Sequence, residues 1–189
     1  FIQLYMKLNV LSLFDGIGCA RLALKSLKKI KVNKYFSSEI DKNCIKLTKK
    51  KFPDDIFLGD IKSIEINKLP KIDLLIGGSP CQDLSNAYNG KGLKGLRSSL
   101  FFNFIFLKKK LKPKFFLLEN VKNKWSYIMD KEIGVKGEEL NSMYLSAQFR
   151  PRMYWTNINF KKILFDSKEI TLKNIIEKKT NMKYFFNIK

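Results

Sequence analysis

Cys81, Glu119, Arg150 and Arg152 are the residues of this chain whose types and placement could do chemistry together. Cys81 follows Pro80, whose ring pre-sets the local backbone, and both come directly after the apolar run "IDLLIGG" (72–78). Glu119 opens "ENV" at the end of another apolar run, "KFFLLEN" (114–120). A thiolate and a carboxylic acid at one site supply a nucleophile and a proton donor. Arg150 and Arg152, in "QFRPR" (148–152), are two residues apart, so on a strand they would share a face and address one anionic or carbonyl group. The chain has no histidine, which excludes a Ser-His-Asp triad, a Cys-His dyad and an imidazole-ligated metal within it. The bland alternatives are a small buried apolar cysteine and a basic hairpin tip. The first suits Cys19 and Cys44, on helical segments, better than Cys81.

A second group of residues has the spacing of a nucleotide-type site. "FDGIG" (14–18) joins a strand to a helix, and glycines there let backbone approach a ligand. It is not GxGxxG, and Asp15 in that turn would repel a pyrophosphate, whereas an adenosyl ligand with a cationic sulfonium would tolerate it. Glu39 lies 21 residues past Gly18, the distance at which an acid commonly accepts from ribose hydroxyls. Asp60 ends a third strand-like run, where it could accept from an adenine amino group. Each feature alone is an ordinary turn or helix cap; together they favour a nucleoside-type cofactor.

The elements that must position these residues alternate. Strands are expected at 8–14, 34–40, 55–61, 72–78 and 114–120, and helices at 19–29, 42–52 and 98–111, the last capped by Ser98 and apolar nearly all round. A helix near 122–131 and a hairpin of roughly 138–146 and 153–158 complete the series. Strand and helix at βαβ spacing argue an α/β fold with a mostly parallel sheet covered on both faces. Ligands collect at the carboxyl ends of such strands, where Asp15–Gly18, Glu39, Asp60, Pro80–Cys81 and Glu119 all fall.

Composition bounds the partners. With 37 basic and 17 acidic residues the formal charge is +20, which favours a polyanion through phosphate neutralisation. Only four of the 37 are arginine, so an AT-rich coding bias toward lysine accounts for part of the excess. Three cysteines without CxxC spacing argue against a disulfide framework or zinc site and fit a reducing cytosol. No long uncharged apolar run suggests a membrane span. The opening "FIQLYMKLN" lacks the cleavage site of a signal peptide, and Met6 is a candidate native start.

In order along the chain, "LFDGIG", "SSEID", "GDI", "GGSPCQDLS", "GLRSSLFFNF", "FLLENV" and "SAQFRPRMYWTN" resemble the C5-cytosine DNA methyltransferases of bacteria and phages, from about Leu8 to Ile158. The ordered set is the specific signal, with PCQ, ENV and QxRxR about 40 and 30 residues apart. The resemblance implies a Rossmann-like S-adenosylmethionine-dependent fold with a late antiparallel hairpin, and a catalytic domain over 1–165. It implies that Phe14, Asp15, Gly16 and Gly18 cradle the methionyl part of S-adenosylmethionine. Glu39 would hold the ribose, Ile40 would lie against adenine, Asp60 and Ile61 would read the adenine edge, and Pro80 and Leu100 would line the pocket. Cys81 would be the nucleophile toward C6 of a cytosine flipped out of duplex DNA. Glu119 would bind the cytosine edge, Arg150 and Arg152 would act near its O2 and the phosphates, and Gln82, Ser85, Asn120 and Gln148 would meet the DNA. No metal is expected, and the location implied is cytoplasmic, at the nucleoid.

The family usually continues into a target-recognition region and a last helix that completes the cofactor pocket. Here residues 166–189 resemble the linker into that region, so the expectation is a fragment, a split enzyme with a second chain, or a decayed gene. The alternatives are a non-catalytic module that binds DNA or a partner, and an RNA cytosine methyltransferase. Restriction–modification, phage self-protection and a solitary methylase all fit.

Overall fold

The computed structural model describes residues 6–80, 100–160 and 170–175. Its centre is a seven-stranded sheet in the order β3-β2-β1-β4-β5-β7-β6. The strands are β1 Met6–Leu13, β2 Ile30–Ser38, β3 Ile56–Phe57, β4 Leu74–Gly78, β5 Phe115–Asn120, β6 Glu138–Asn141 and β7 Pro151–Thr156. β1 to β5 pair in parallel, while β7 runs antiparallel to both β5 and β6. The α/β class, the mostly parallel sheet and the late antiparallel hairpin are those expected from the sequence.

The helices are α1 Cys19–Ser26, α2 Lys42–Lys51, α3 Leu100–Leu111, α4 Ser126–Ile133 and the single turn α5 Leu172–Ile175. Alternation along the strands divides the core in two. Leu8, Val10 and Leu74 join Leu24 of α1 and Tyr35 in one cluster. Leu11, Leu13, Leu75, Phe116 and Leu118 point the other way, against Phe101, Phe104 and Met129 of α3 and α4, with Trp155. Although the run 100–111 is apolar nearly all round, α3 is not buried all round: Phe101, Phe104, Ile105 and Leu107 are buried, while Phe102 and Phe106 are 40% and 53% exposed.

Boundaries differ from expectation where local hydrogen bonding overrides the apolar pattern. The third strand shrinks to two residues because Gly59 turns at φ 74 and Asp60 caps a short 3-10 turn, Ile61–Ser63. α4 starts at Ser126 rather than near 122, because Asn123 Oδ1 accepts from Trp125 N–H at 2.8 Å and holds a turn first. α1 ends at Ser26, since Leu27 is extended and leads into a β2 that begins four residues earlier than expected.

The sheet order reverses between β1 and β4, each of which continues outward to a different side. The loops leaving their carboxyl ends therefore diverge and open a crevice. "FDGIG" leaves one and Ser79–Pro80 the other. Cys81, Gln82 and Ser85, the polar loop 88–97 and Ser98 lie outside the described residues.

Candidate active site

Two clefts meet at Pro80. The larger, of about 490 Å³, is lined by Phe14, Ser38, Glu39, Ile40, Asp41, Asp60, Ile61, Pro80 and Leu100. The smaller, of about 220 Å³, is lined by Gly78, Ser79, Pro80, Glu119, Asn120, Val121, Arg150 and Arg152. The sheet edge thus gathers residues that are far apart in sequence but were singled out together.

The first cleft is shaped by the loop after β1. Phe14, Gly16 and Gly18 all have left-handed backbone, at φ 57, 57 and 76. For Phe14 this costs about 1–2 kcal/mol, so the surrounding structure must hold it. Gly18 caps α1, and a Cβ there would lie 3.0 Å from Thr48 Cγ2 of α2, which closes the space to larger residues. Glu39 ties the loop to β2: its Oε2 accepts from Gly16 N–H at 2.8 Å, and its Oε1 from Ile40 N–H at 2.7 Å and Asp41 N–H at 2.9 Å. A carboxylate offers roughly four lone-pair sites, so one acceptor position remains.

Ile40 is 71% exposed at the rim and Ile61 is buried in the wall. Together with Phe14, Pro80 and Leu100 they give the cleft an apolar lining with acids on one side, Glu39, Asp41 and Asp60. Asp60 Oδ1 accepts from Lys62 N–H at 2.9 Å. Asp41 caps α2 by accepting from Asn43 and Cys44 N–H, and those two bonds hold its carboxyl below the usual range. Such a cleft suits a ligand with one flat apolar part and several hydroxyl or amino donors. Asp15, expected among the lining residues, is not among them.

The second pocket is built on β4, β5 and β7. Gly78 and Glu119 are register partners on β4 and β5, and Glu119 faces Tyr154 on β7. Arg152 lies two residues before Tyr154, on the same face, and its Nε stands 2.9 Å from Glu119 Oε1. A Cβ on Gly78 would come within 3.1 Å of Glu119 Oε2, so the missing side chain makes room for the carboxylate. Burial, then the Glu119 charge, pushes the Tyr154 hydroxyl pKa up.

Arg150 and Arg152 both line this pocket but do not share one strand. Arg150 precedes β7, in the turn, and Arg152 is on it. Asn141, whose residue type and position suggest no catalytic or binding role in the sequence, closes that turn: its Oδ1 accepts from Met143 N–H at 3.1 Å and Arg150 N–H at 2.9 Å. An Asn at the end of a strand was the available signal. Gln148 is exposed in the same turn and is not among the lining residues.

Asn120 was expected to meet a substrate. It does line the smaller pocket, but it is 1% exposed and its amide is hydrogen-bonded to its neighbours. Nδ2 donates to Ser79 O at 3.1 Å and Ser79 Oγ at 2.8 Å, and Oδ1 accepts from Val121 N–H at 2.7 Å. It ties the exit of β4 to the end of β5, immediately before Pro80 and Cys81. Ser79 is the other residue of this kind; a buried serine beside a buried Asn is visible only once β4 and β5 are paired.

Comparison with known proteins gives a consistent assignment. The family model for C-5 cytosine-specific DNA methylase matches residues 8–144. The chain is 34% identical over 191 residues to the orphan methyltransferase M.SPRI of Bacillus phage SPR, covering 91% of this chain and 43% of that protein. It is 39% identical over 173 residues to the type II methyltransferase M1.ScrFI of Lactococcus lactis subsp. cremoris, with 87% and 43% covered. A crystal structure described as a candidate DNA modification methyltransferase encoded within a prophage (E. coli) aligns with a TM-score of 0.67 at 25% identity, over 88% of this chain and 53% of that one. The chain therefore spans less than half the length of these two curated relatives.

Proposed function

Because this chain belongs to the C-5 cytosine-specific DNA methylase family, we propose that it is the catalytic part of a DNA (cytosine-5-)-methyltransferase. The observation that carries the reading is the junction at Pro80. This residue lines both the apolar-and-acid cleft and the Glu119–Arg152 pocket, and Cys81 follows it in the chain.

The larger cleft fits S-adenosylmethionine by its donor set. Glu39 keeps an acceptor position for a ribose hydroxyl, Asp60 is an exposed acceptor for an amino group, and Phe14, Ile40 and Ile61 offer apolar surface to a purine. When bound, S-adenosylmethionine supplies the electrophilic methyl group that the cytosine C5 takes up.

The chain's own residues prepare that carbon. Cytosine C5 is a weak nucleophile. The Cys81 thiolate adds to C6, forming an S–C6 bond and moving the ring's electron density toward C5 and N3. Glu119 protonates or hydrogen-bonds N3 as charge develops there. Arg152 orients the Glu119 carboxyl and, with Arg150, offers donors to O2, where developing charge is stabilised electrostatically. After methylation the C5 proton departs to a base, its electron pair re-forms the ring double bond, and the S–C6 bond breaks to return the thiolate. A base within a duplex does not present its face to a thiol, so the cytosine must be flipped out. The charge of +20 favours holding the phosphates.

A second reading rests on the charge: with a formal +20 the chain would bind DNA, a polyanion, without turnover. Transfer of labelled methyl groups from S-adenosylmethionine to cytosine-containing DNA, by the chain alone and with a supplied recognition chain, separates the two. Transfer that disappears in Cys81→Ser supports the enzyme. No transfer under either condition, with retained DNA binding, supports the binding module. Full activity in Cys81→Ser would overturn the nucleophile assignment.

A further inference from the structure

Asp15 sits in the loop that borders the cofactor cleft, yet both oxygens of its carboxylate are held on the sheet side by three hydroxyl donors. Its Oδ1 accepts from Ser12 Oγ at 2.5 Å and from the Tyr35 hydroxyl at 2.7 Å, and its Oδ2 from Ser37 Oγ at 2.8 Å. Ser12 and Ser37 are register partners on β1 and β2. Tyr35 lies two residues before Ser37 and shares its face. Three hydroxyl donors converging on one group match an acceptor-only carboxylate.

The donors are themselves fixed. Ser12 and Ser37 are each 2% exposed and Tyr35 is 1% exposed. Burial, then the Asp15 charge, pushes the Tyr35 hydroxyl pKa far up, which keeps it a donor across the physiological range. The Tyr35 ring lies 5.3 Å from the Arg21 guanidinium, which is equally close to Phe52 and paired with Asp55 at 2.9 Å. The loop that Asp15 anchors carries left-handed residues on both sides of it, Phe14 and Gly16, and Gly16 N–H is the donor to Glu39.

We infer that Asp15 is a positioning residue of the cofactor loop, acting through Tyr35, Ser12 and Ser37, and does not itself touch the cofactor. The assignment rests on reading the adjoining cleft as the S-adenosylmethionine site. It makes Tyr35, on a neighbouring strand, a determinant of cofactor affinity. A direct ligand to the sulfonium would instead favour the charged cofactor over its neutral thioether product.

The test is calorimetric binding of S-adenosylmethionine and of S-adenosylhomocysteine to the full chain, as wild type, Tyr35→Phe, Asp15→Ala and the double variant. Titrations run well below each variant's melting temperature, so a global loss of stability does not move the readout. A network role predicts that each single change weakens both ligands alike, by about tenfold or more, since a hydrogen bond to a charged group is lost. The double variant should then be no weaker than Asp15→Ala, because both changes break one network. Ser37→Ala serves as the second probe if Tyr35→Phe does not fold. Asp15→Ala weakening S-adenosylmethionine selectively, with Tyr35→Phe near wild type, would overturn the positioning role alone. A wild-type chain that binds neither ligand would overturn the cofactor reading and this assignment with it.

Discussion

Arg152 reaches diagonally from β7 to Glu119 on β5, Nε to Oε1 at 2.9 Å, with the two side chains 18% and 33% exposed. That degree of exposure limits what the pair adds to folding, about 1 kcal/mol or less, while the geometry fixes where the Glu119 carboxyl points. Arg152→Lys should therefore melt close to wild type and lose about a hundredfold in methyl transfer. A lysine keeps the charge but not the planar fork, and removing a donor that stabilises developing charge costs on that scale. Thermal melts alongside initial rates check it; unchanged rates would refute the role of Arg152.

The two glycines that end β4 should respond differently to the same methyl group. A Cβ on Gly77 would lie 2.9 Å from the Phe104 ring, which is fully buried. Gly77→Ala should thus destabilise by about 1–3 kcal/mol through overpacking. A Cβ on Gly78 would lie 3.1 Å from Glu119 Oε2, the end of a side chain that can shift. Gly78→Ala should melt near wild type but lower activity by displacing that carboxyl. Denaturant midpoints and rates together separate the two effects.

Asn120→Ala should cost about 1–3 kcal/mol, since Ser79 loses its buried partner and the end of β5 loses a turn-closing acceptor. The same change loosens the exit of β4 just before Cys81, so activity should fall by more than the lost stability explains. Measuring rates below the melting transition isolates that second part. A variant with a lowered melting temperature and a wild-type rate would make Asn120 structural only.

The cap on α2 predicts a pH effect. Two backbone N–H bonds hold the Asp41 pKa below its ordinary 3.8. A depressed carboxyl contributes stability that is present above the unfolded-state value and is lost as pH falls through the folded one. Asp41→Asn keeps a capping oxygen but does not titrate. The melting temperature of wild type should therefore exceed that of Asp41→Asn at pH 7, and the gap should close as the pH drops below about 3.8. A gap independent of pH would show that the cap acts without its charge.

Much of this protein is written in local pattern. Alternating apolar runs and helical spacing predicted the order of β1 to β5 and α1 to α4, because burying a parallel sheet on both faces demands those runs. The glycine turn, the acids at strand ends, the PCQ and ENV stretches and the arginine pair were visible as residue types that no core requires. Side-chain direction was not visible, because it depends on which strands become neighbours. Asp15 and Asn120 read as ligand-facing residues from their positions in loops and at strand ends. Pairing β1 with β2 brings Ser12, Tyr35 and Ser37 to Asp15, and pairing β4 with β5 brings Ser79 to Asn120. Likewise, two arginines two residues apart share a face only if both are on the strand. Asn141 closes the turn ahead of β7, so Arg152 meets Glu119 from the sheet while Arg150 enters the pocket from the turn. The sequence by itself determined the class of sheet, the family and the residues gathered at one edge. Only the tertiary structure decided which of those residues face the clefts and which hold the others in place, since hydrogen bonds between residues 20 to 41 positions apart leave no local trace.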